Sequence, residues 1–95
     1  MEFEWDEEKR SLNLSKHGVD FERAALIFGG PIIETPDRRK NYGEGRYQAI
    51  GMFEDECFVV VFTRRGDAIR LITAWKGGRD ERKAYEAYIA GGPAS

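Results

Sequence analysis

The chain has 95 residues, 41% hydrophobic and 34% charged, with a formal net charge of −2. That balance fits one globular domain and excludes a disordered chain, and no apolar run nears the length of a membrane-crossing helix. An acidic N-terminus where a signal peptide would be basic, and a lone Cys57 without an internal disulfide partner, predict a cytoplasmic address. One Cys and one His cannot build a structural zinc site, so no metal and no cofactor is expected.

Residues 2–5, EFEW, alternate acidic and aromatic side chains as a short half-buried strand does. Asp6 then caps a helix that has Glu7 and Glu8 in its first turn and runs through Lys9, Leu12 and Lys16 to Gly18. Lys16 and His17 fall in its last turn, where cations meet the negative end of the helix dipole. Asp20 caps a second helix with Phe21, Ala24, Ala25 and Phe28 on one stripe, stopped by Gly29-Gly30-Pro31. PIIET (31–35) is a short strand, and PDRRKNYGEG (36–45) is a polar loop with three consecutive bases. RYQAIGMF (46–53), CFVVVFT (57–63) and AIRLITAW (68–75) follow as strands joined by turns at EDE and RRGD. The middle one is apolar on both faces and belongs at the centre of a sheet. After KGG, RDERKAYEAYI (79–89) closes the chain as a helix with Tyr85, Tyr88 and Ile89 on one side and Arg79, Arg82 and Lys83 on another. The order predicts a single α+β domain over 1–95, its strands mostly antiparallel, with 1–5 and 90–95 as less ordered ends.

Charge is uneven along the chain: net −3 over residues 1–30, −2 over 31–63 and +3 over 64–95. A basic last third on an acidic body suits either a local anion-binding surface or a solvated helix face. Phosphate loops, dinucleotide fingerprints and HExxH are absent, and Cys57, opening a hydrophobic strand without a basic neighbour, reads as packing. What remains is a cationic group, Arg64, Arg65, Arg70, Lys76, Arg79 and Arg82, and one histidine. Arg70 stands among Ile69, Leu71 and Ile72, so it either faces solvent or points into a site. An arginine fork matches phosphate oxygens bidentately. Several arginines beside a histidine suit cleavage of RNA without a metal: cations stabilise the phosphorane, and an acid–base group moves protons between the 2′-hydroxyl and the leaving 5′-oxygen. Local sequence alone also gives His17 a plainer role, a cation at a helix end.

Three segments, FEWDEEKRSLNLSKHGVDFERAALIF, GEGRYQAIG and VVVFTRRGDAIRLITAWKGGRDERKAYEAY, resemble in order and spacing the BrnT family of bacterial type II toxins. The resemblance runs from Phe3 to about Tyr88. The family's W-D…K…N…K-H-G-V-x-F segment matches Trp5, Asp6, Lys9, Asn13, Lys16, His17, Gly18, Val19 and Phe21. Its G-E-x-R matches Gly43, Glu44 and Arg46; its T-x-R-G and R-I-I-S-A-R patterns fall on Thr63 to Trp75, and its E-R…Y on Glu81, Arg82 and Tyr85.

The resemblance implies a RelE-like fold: a mostly antiparallel sheet of about four strands with two N-terminal helices and one C-terminal helix. It implies a metal-independent endoribonuclease toxin that arrests growth and is neutralised by a BrnA-like antitoxin of ribbon-helix-helix type. Promoter DNA is then bound only through the toxin–antitoxin complex. With the cationic group above, it makes His17, Arg64 and Arg70 the expected catalytic residues, and Lys16, Arg65, Trp75, Lys76, Arg79 and Arg82 the expected RNA contacts. Arg79 and Arg82 have a rival role against solvent or the antitoxin, and Glu81 and Tyr85 are expected to fix the last helix. Trp75 stands where family members commonly carry Arg, which removes a candidate phosphate contact and leaves a side chain suited either to stacking on a base or to the core. The alternative function is a weak or inactive binding module that mainly holds the antitoxin, with Trp75, Tyr85 and Tyr88 at the interface.

Overall fold

The computed structural model describes residues 1–38 and 43–91. Its strands are β1 (Glu2–Glu4), β2 (Ile33–Pro36), β3 (Tyr47–Phe53), β4 (Glu56–Arg65) and β5 (Ala68–Lys76). Its helices are α1 (Glu7–His17), α2 (Phe21–Ala24) and α3 (Arg79–Ile89), and α2 tightens into a 3-10 turn over Ala25–Gly29. The strands form one sheet in the order β1-β5-β4-β3-β2. Strands β2 to β5 make an antiparallel meander, as expected. The sheet has five strands where about four were expected, because residues 2–4 of the expected loose N-terminal end pair parallel with β5. Glu2 lies opposite Ala68 and Glu4 opposite Arg70, a partner too remote in sequence for local pattern to reveal. From residue 92 the expected loose C-terminal end lies outside the described residues, as do Arg39 and Lys40 of the basic loop.

Alternation along the central strand divides the molecule into layers. Phe58, Val60 and Phe62 of β4 join Ala49, Ile69, Leu71 and Ala74 in a core closed by Val19, Phe21, Ala24, Ala25 and Ile27. Cys57, Val59 and Val61 are also buried, on the opposite face, so β4 is covered on both sides. α3 lies over the Cys57 end of that face: a Cβ added at Gly77 would come within 2.6 Å of the Cys57 Sγ. The Gly78 N–H donates to the Glu81 carboxylate at 2.6 Å, and the buried Tyr85 donates its hydroxyl to the Pro31 carbonyl at 2.7 Å. Burial pushes the Cys57 thiol up, away from the reactive thiolate.

α1 is held differently. Leu12 and Leu14 are 68% and 48% exposed, and the buried residue of the helix is Asn13. Asp6 caps the helix by accepting from the Glu8 and Lys9 N–H groups, and Gly18, at φ 70°, ends it in a left-handed turn that glycine adopts without strain. The Arg10 guanidinium forks onto Asp20 at 2.8 and 3.1 Å and reaches Glu22 at 3.2 Å, tying α1 to the cap of α2. Asn13 does the rest. Its amide NH₂ donates to the carbonyls of Val19 and Ala74, both at 2.9 Å, and its oxygen accepts from the Ala74 N–H at 3.1 Å and the Thr73 hydroxyl at 2.9 Å.

β1 pairs only with Ala68 to Arg70, so beyond that point the edge of β5 is open and the two backbone groups of Ala74 point towards α1. The register of β4 and β5 also slips here: Val61 pairs with Thr73 and Phe62 with Leu71, leaving Ile72 unopposed. Such a bulge bends the strand and re-aims its side chains.

Removing the Asn13 amide leaves three buried or half-buried backbone groups without partners, at a cost of about 3 kcal/mol. Asn13→Ala should therefore lower the urea midpoint by a large fraction of the protein's stability, whereas Leu12→Ala should barely change it. Acid unfolding follows from the ion pairs. The guanidinium of Arg10 beside Asp20, of Arg64 beside Glu34 and of Arg23 beside Glu56 holds each carboxyl below its usual range. A depressed native pKa contributes stability that is complete above the ordinary value and lost as pH falls through the native one. The carboxylate contribution should stay level from pH 7 to about 5 and fall away below about 4. In Asp20→Asn the neutral midpoint should drop and the acid limb should flatten.

Candidate active site

A cleft of about 400 Å³ opens between Lys9, Leu12, Asn13, Lys16 and His17 of α1 and Ile72 and Thr73 of β5. It continues past Thr73 to Trp75. Lys9, Asn13 and Lys16 are spaced i, i+4, i+7 and share one helix face. Because Asn13 must reach the edge of β5, the two lysines are carried to the rims of the cleft on either side of it. Neither has an ion-pair or hydrogen-bonding side-chain partner among the described residues. His17 is exposed at the helix end, with its ring centroid 6.3 Å from that of the half-buried Trp75 and the planes at 46°. Lys16, His17 and Trp75 are thus the sequence-predicted site residues that the fold brings together.

The arginines are elsewhere. Arg64 lies opposite Ile69 and Arg70 opposite Thr63, so successive alternation sends the two guanidinium groups to opposite faces of the sheet. They do not form the joint pair that the sequence suggests. Arg64 grips Glu34 through two bonds of 2.7 and 2.9 Å and lies 5.4 and 5.2 Å from the ring centroids of Tyr47 and Phe62. Arg70 donates to Glu4 at 2.8 Å. A phosphate reaching either one has to displace a carboxylate. Neither lines the cleft.

The other predicted contacts are dispersed in the same way. Arg65 lies 3.7 Å from Glu44, and Lys76 lies 3.1 Å from Glu56, which Arg23 also holds. Arg82 donates to the Asp55 carbonyl, and Arg79 is exposed in the first turn of α3. Tyr85, a candidate for an interface, is buried beneath α3, whereas Tyr88 is exposed.

Sequence reasoning placed Asn13 in the family motif without giving it a role, and it missed Glu4 and Glu34. A clue existed for Asn13, a residue that competes with helical backbone bonds yet sits mid-helix between two lysines at helical spacing. No local signal marks Glu4 or Glu34 as arginine partners, because each pairing spans the sheet. Among the described residues, no three His, Cys, Asp or Glu side chains gather as metal ligands would, and no helix is long and apolar enough to cross a membrane.

The distinction between free and committed cations has a measurable consequence. With a short single-stranded oligonucleotide as anionic probe, Lys16→Gln should reduce the slope of log K against log[salt] by about 0.7. Arg70→Gln, which removes a charge already neutralised by Glu4, should change it far less.

A family model described as "Ribonuclease toxin, BrnT, of type II toxin-antitoxin system" matches residues 5–81. No curated protein matches the chain. The matched range holds the whole of α1, the sheet from β2 to β5 and every residue of the cleft.

Proposed function

The chain belongs to the BrnT family of ribonuclease toxins of type II toxin–antitoxin systems, and on that premise we propose that it is a metal-independent endoribonuclease whose reaction takes place in the cleft between α1 and β5. The observation that carries this reading is the meeting of His17 with the unpaired Lys9 and Lys16 in one open cleft. The 2′-hydroxyl of a bound nucleotide attacks the adjacent phosphorus, the 5′-oxygen of the next nucleotide leaves, and a 2′,3′-cyclic phosphate and a free 5′-hydroxyl result. His17 exchanges a proton with one of those two oxygens, and the lysine ammonium groups compensate the charge that grows on the phosphorane. In this reading Arg64 and Arg70 act as outlying phosphate contacts, each exchanging its carboxylate for RNA, rather than as the centre of the reaction.

The family implies an antitoxin partner. We take it to be a BrnA-like ribbon-helix-helix protein, with promoter DNA bound through the complex, and we take the toxin to act in the cytoplasm, where its RNA is. The RelE-like kinship of the fold belongs to the same proposal, supported by an antiparallel meander carrying helices on both faces.

Purified protein incubated with total RNA in EDTA should yield cyclic-phosphate ends. His17→Gln should slow cleavage by about 10²- to 10⁴-fold, the usual contribution of a positioned acid–base group. Arg64→Ala and Arg70→Ala should slow it much less. Absence of cleavage by the wild type, with antitoxin binding retained, would sink the reading and leave a module that only holds its partner.

A further inference from the structure

The two parts of the cleft share Lys16, His17 and Thr73, which therefore line its waist. The Lys16 ammonium only donates, and it has no carboxylate partner among the described residues. The half-buried Thr73 offers the opposite, for a reason that lies in Asn13. Both hydrogens of the Asn13 amide are spent on the Val19 and Ala74 carbonyls, each at 2.9 Å. Its oxygen accepts from the Ala74 N–H at 3.1 Å. Turning the amide over would set its oxygen against two carbonyls and its NH₂ against an N–H, so the orientation is fixed. The oxygen that faces Thr73 at 2.9 Å thus carries no hydrogen, and the Thr73 hydroxyl has to be the donor. With its one hydrogen committed, Thr73 can offer a ligand only the lone pairs of its Oγ1, which accept no hydrogen bond among the described residues. Asn13 itself is saturated and 5% exposed, so nothing of it remains for a ligand.

We propose that Thr73 is a ribose-binding residue, its Oγ1 accepting a hydrogen bond from the 2′-hydroxyl of the nucleotide held at the waist. The inference rests on the ribonuclease reading above and adds to it the residue that tells RNA from DNA. An acceptor with no hydrogen to give can take only a donor, and a phosphodiester has none at neutral pH. The 2′-hydroxyl is the donor that the RNA backbone carries and DNA lacks. It sits on the sugar carbon next to the one that bears the 3′-phosphate, so a donor and an anion arrive side by side. The waist answers both: Thr73 takes the hydroxyl and Lys16 the phosphate, with His17 exposed beside them. Base N–H groups are donors too, but they lie several bonds from any phosphate and give no reason for an acceptor next to a cation. The contact belongs to the bound state. On attack the hydroxyl proton leaves, so Thr73 contributes to recognition of the ribose and not to the chemical step.

The test compares adenosine 3′-monophosphate with its 2′-deoxy and 2′-O-methyl counterparts, none of which has a leaving 5′-oxygen to lose. Binding is followed by NMR through the ring resonances of His17, the single histidine of the chain. The ribonucleotide should bind roughly 2- to 12-fold more tightly than either analogue, the range that one neutral hydrogen bond gives. The 2′-O-methyl group keeps the oxygen but has no hydrogen to donate, so it should behave like the deoxy form. Thr73→Val keeps the side-chain shape and should bring the ribonucleotide down to the affinity of the other two, which stay where they were. Thr73→Ser should keep the preference. Equal affinity for the three nucleotides, or no shift with any of them, overturns the proposal even if Thr73→Val fails to fold, since neither observation needs that variant. A preference that survives in folded Thr73→Val overturns it as well. An RNA oligonucleotide incubated with the wild type separates the two readings. Cleavage without the ribose preference removes the role of Thr73 and leaves the ribonuclease standing. The preference without cleavage removes the ribonuclease and leaves the ribose site.

Discussion

The geometry of the cleft depends on one side-chain amide. Asn13 meets the Ala74 N–H and C=O as a neighbouring strand would, and so closes the edge of β5 where β1 has ended. An open edge of this kind exposes unpaired backbone groups, and a buried one costs more still. α1 has no apolar stripe to bury, so the position of Lys9, Lys16 and His17 relative to β5 is set by hydrogen bonds rather than by packing. Hydrogen bonds specify direction more sharply than apolar contact does, so the side chains of α1 hold a defined position over the cleft. The bulge at Ile72 belongs to the same arrangement, because it brings both Ile72 and Thr73 to the wall of the cleft.

Charge is organised by pairing more than by amount. The protein is acidic overall, and several of its arginines are answered by carboxylates: Arg64 by Glu34 and Arg70 by Glu4 on the sheet, and Arg23 of α2 by Glu56. Exposed ion pairs of this type contribute little to stability. Their larger effect is on the surface potential, since each removes a cation from the set available to an anion. What remains unanswered on α1 is a pair of lysines at the rims of the cleft. A net charge of −2 is therefore compatible with a local site for a polyanion.

The core and the site are supported by separate sets of residues. Val19, Phe21, Ala24 and Ile27 join Phe58, Val60, Phe62 and Leu71 on one face of the sheet, and Tyr85, Glu81 and Gly77 seat α3 on the other. His17, Lys16 and Lys9 contribute nothing to either layer. Substitutions in the cleft can therefore report on chemistry with little disturbance to the fold, with Asn13 the exception because it serves both.

The sequence by itself determined the elements and their order. The caps at Asp6 and Asp20, the glycine stops, and the doubly apolar run from Cys57 to Thr63 are local signals, and local physics is enough to read them. It also marked His17, Lys16 and Trp75, which the fold places together. Tertiary structure alone decided which cations stay free. Arg64 and Arg70 look alike in sequence, six residues apart on adjoining strands, yet strand alternation and the turn between them send the two to opposite faces. Their partners Glu34 and Glu4 come from β2 and β1, on opposite edges of the sheet. The role of Asn13 was hidden for the same reason. An amide in mid-helix looks like a weak helix former until the strand edge 61 residues away arrives to receive it.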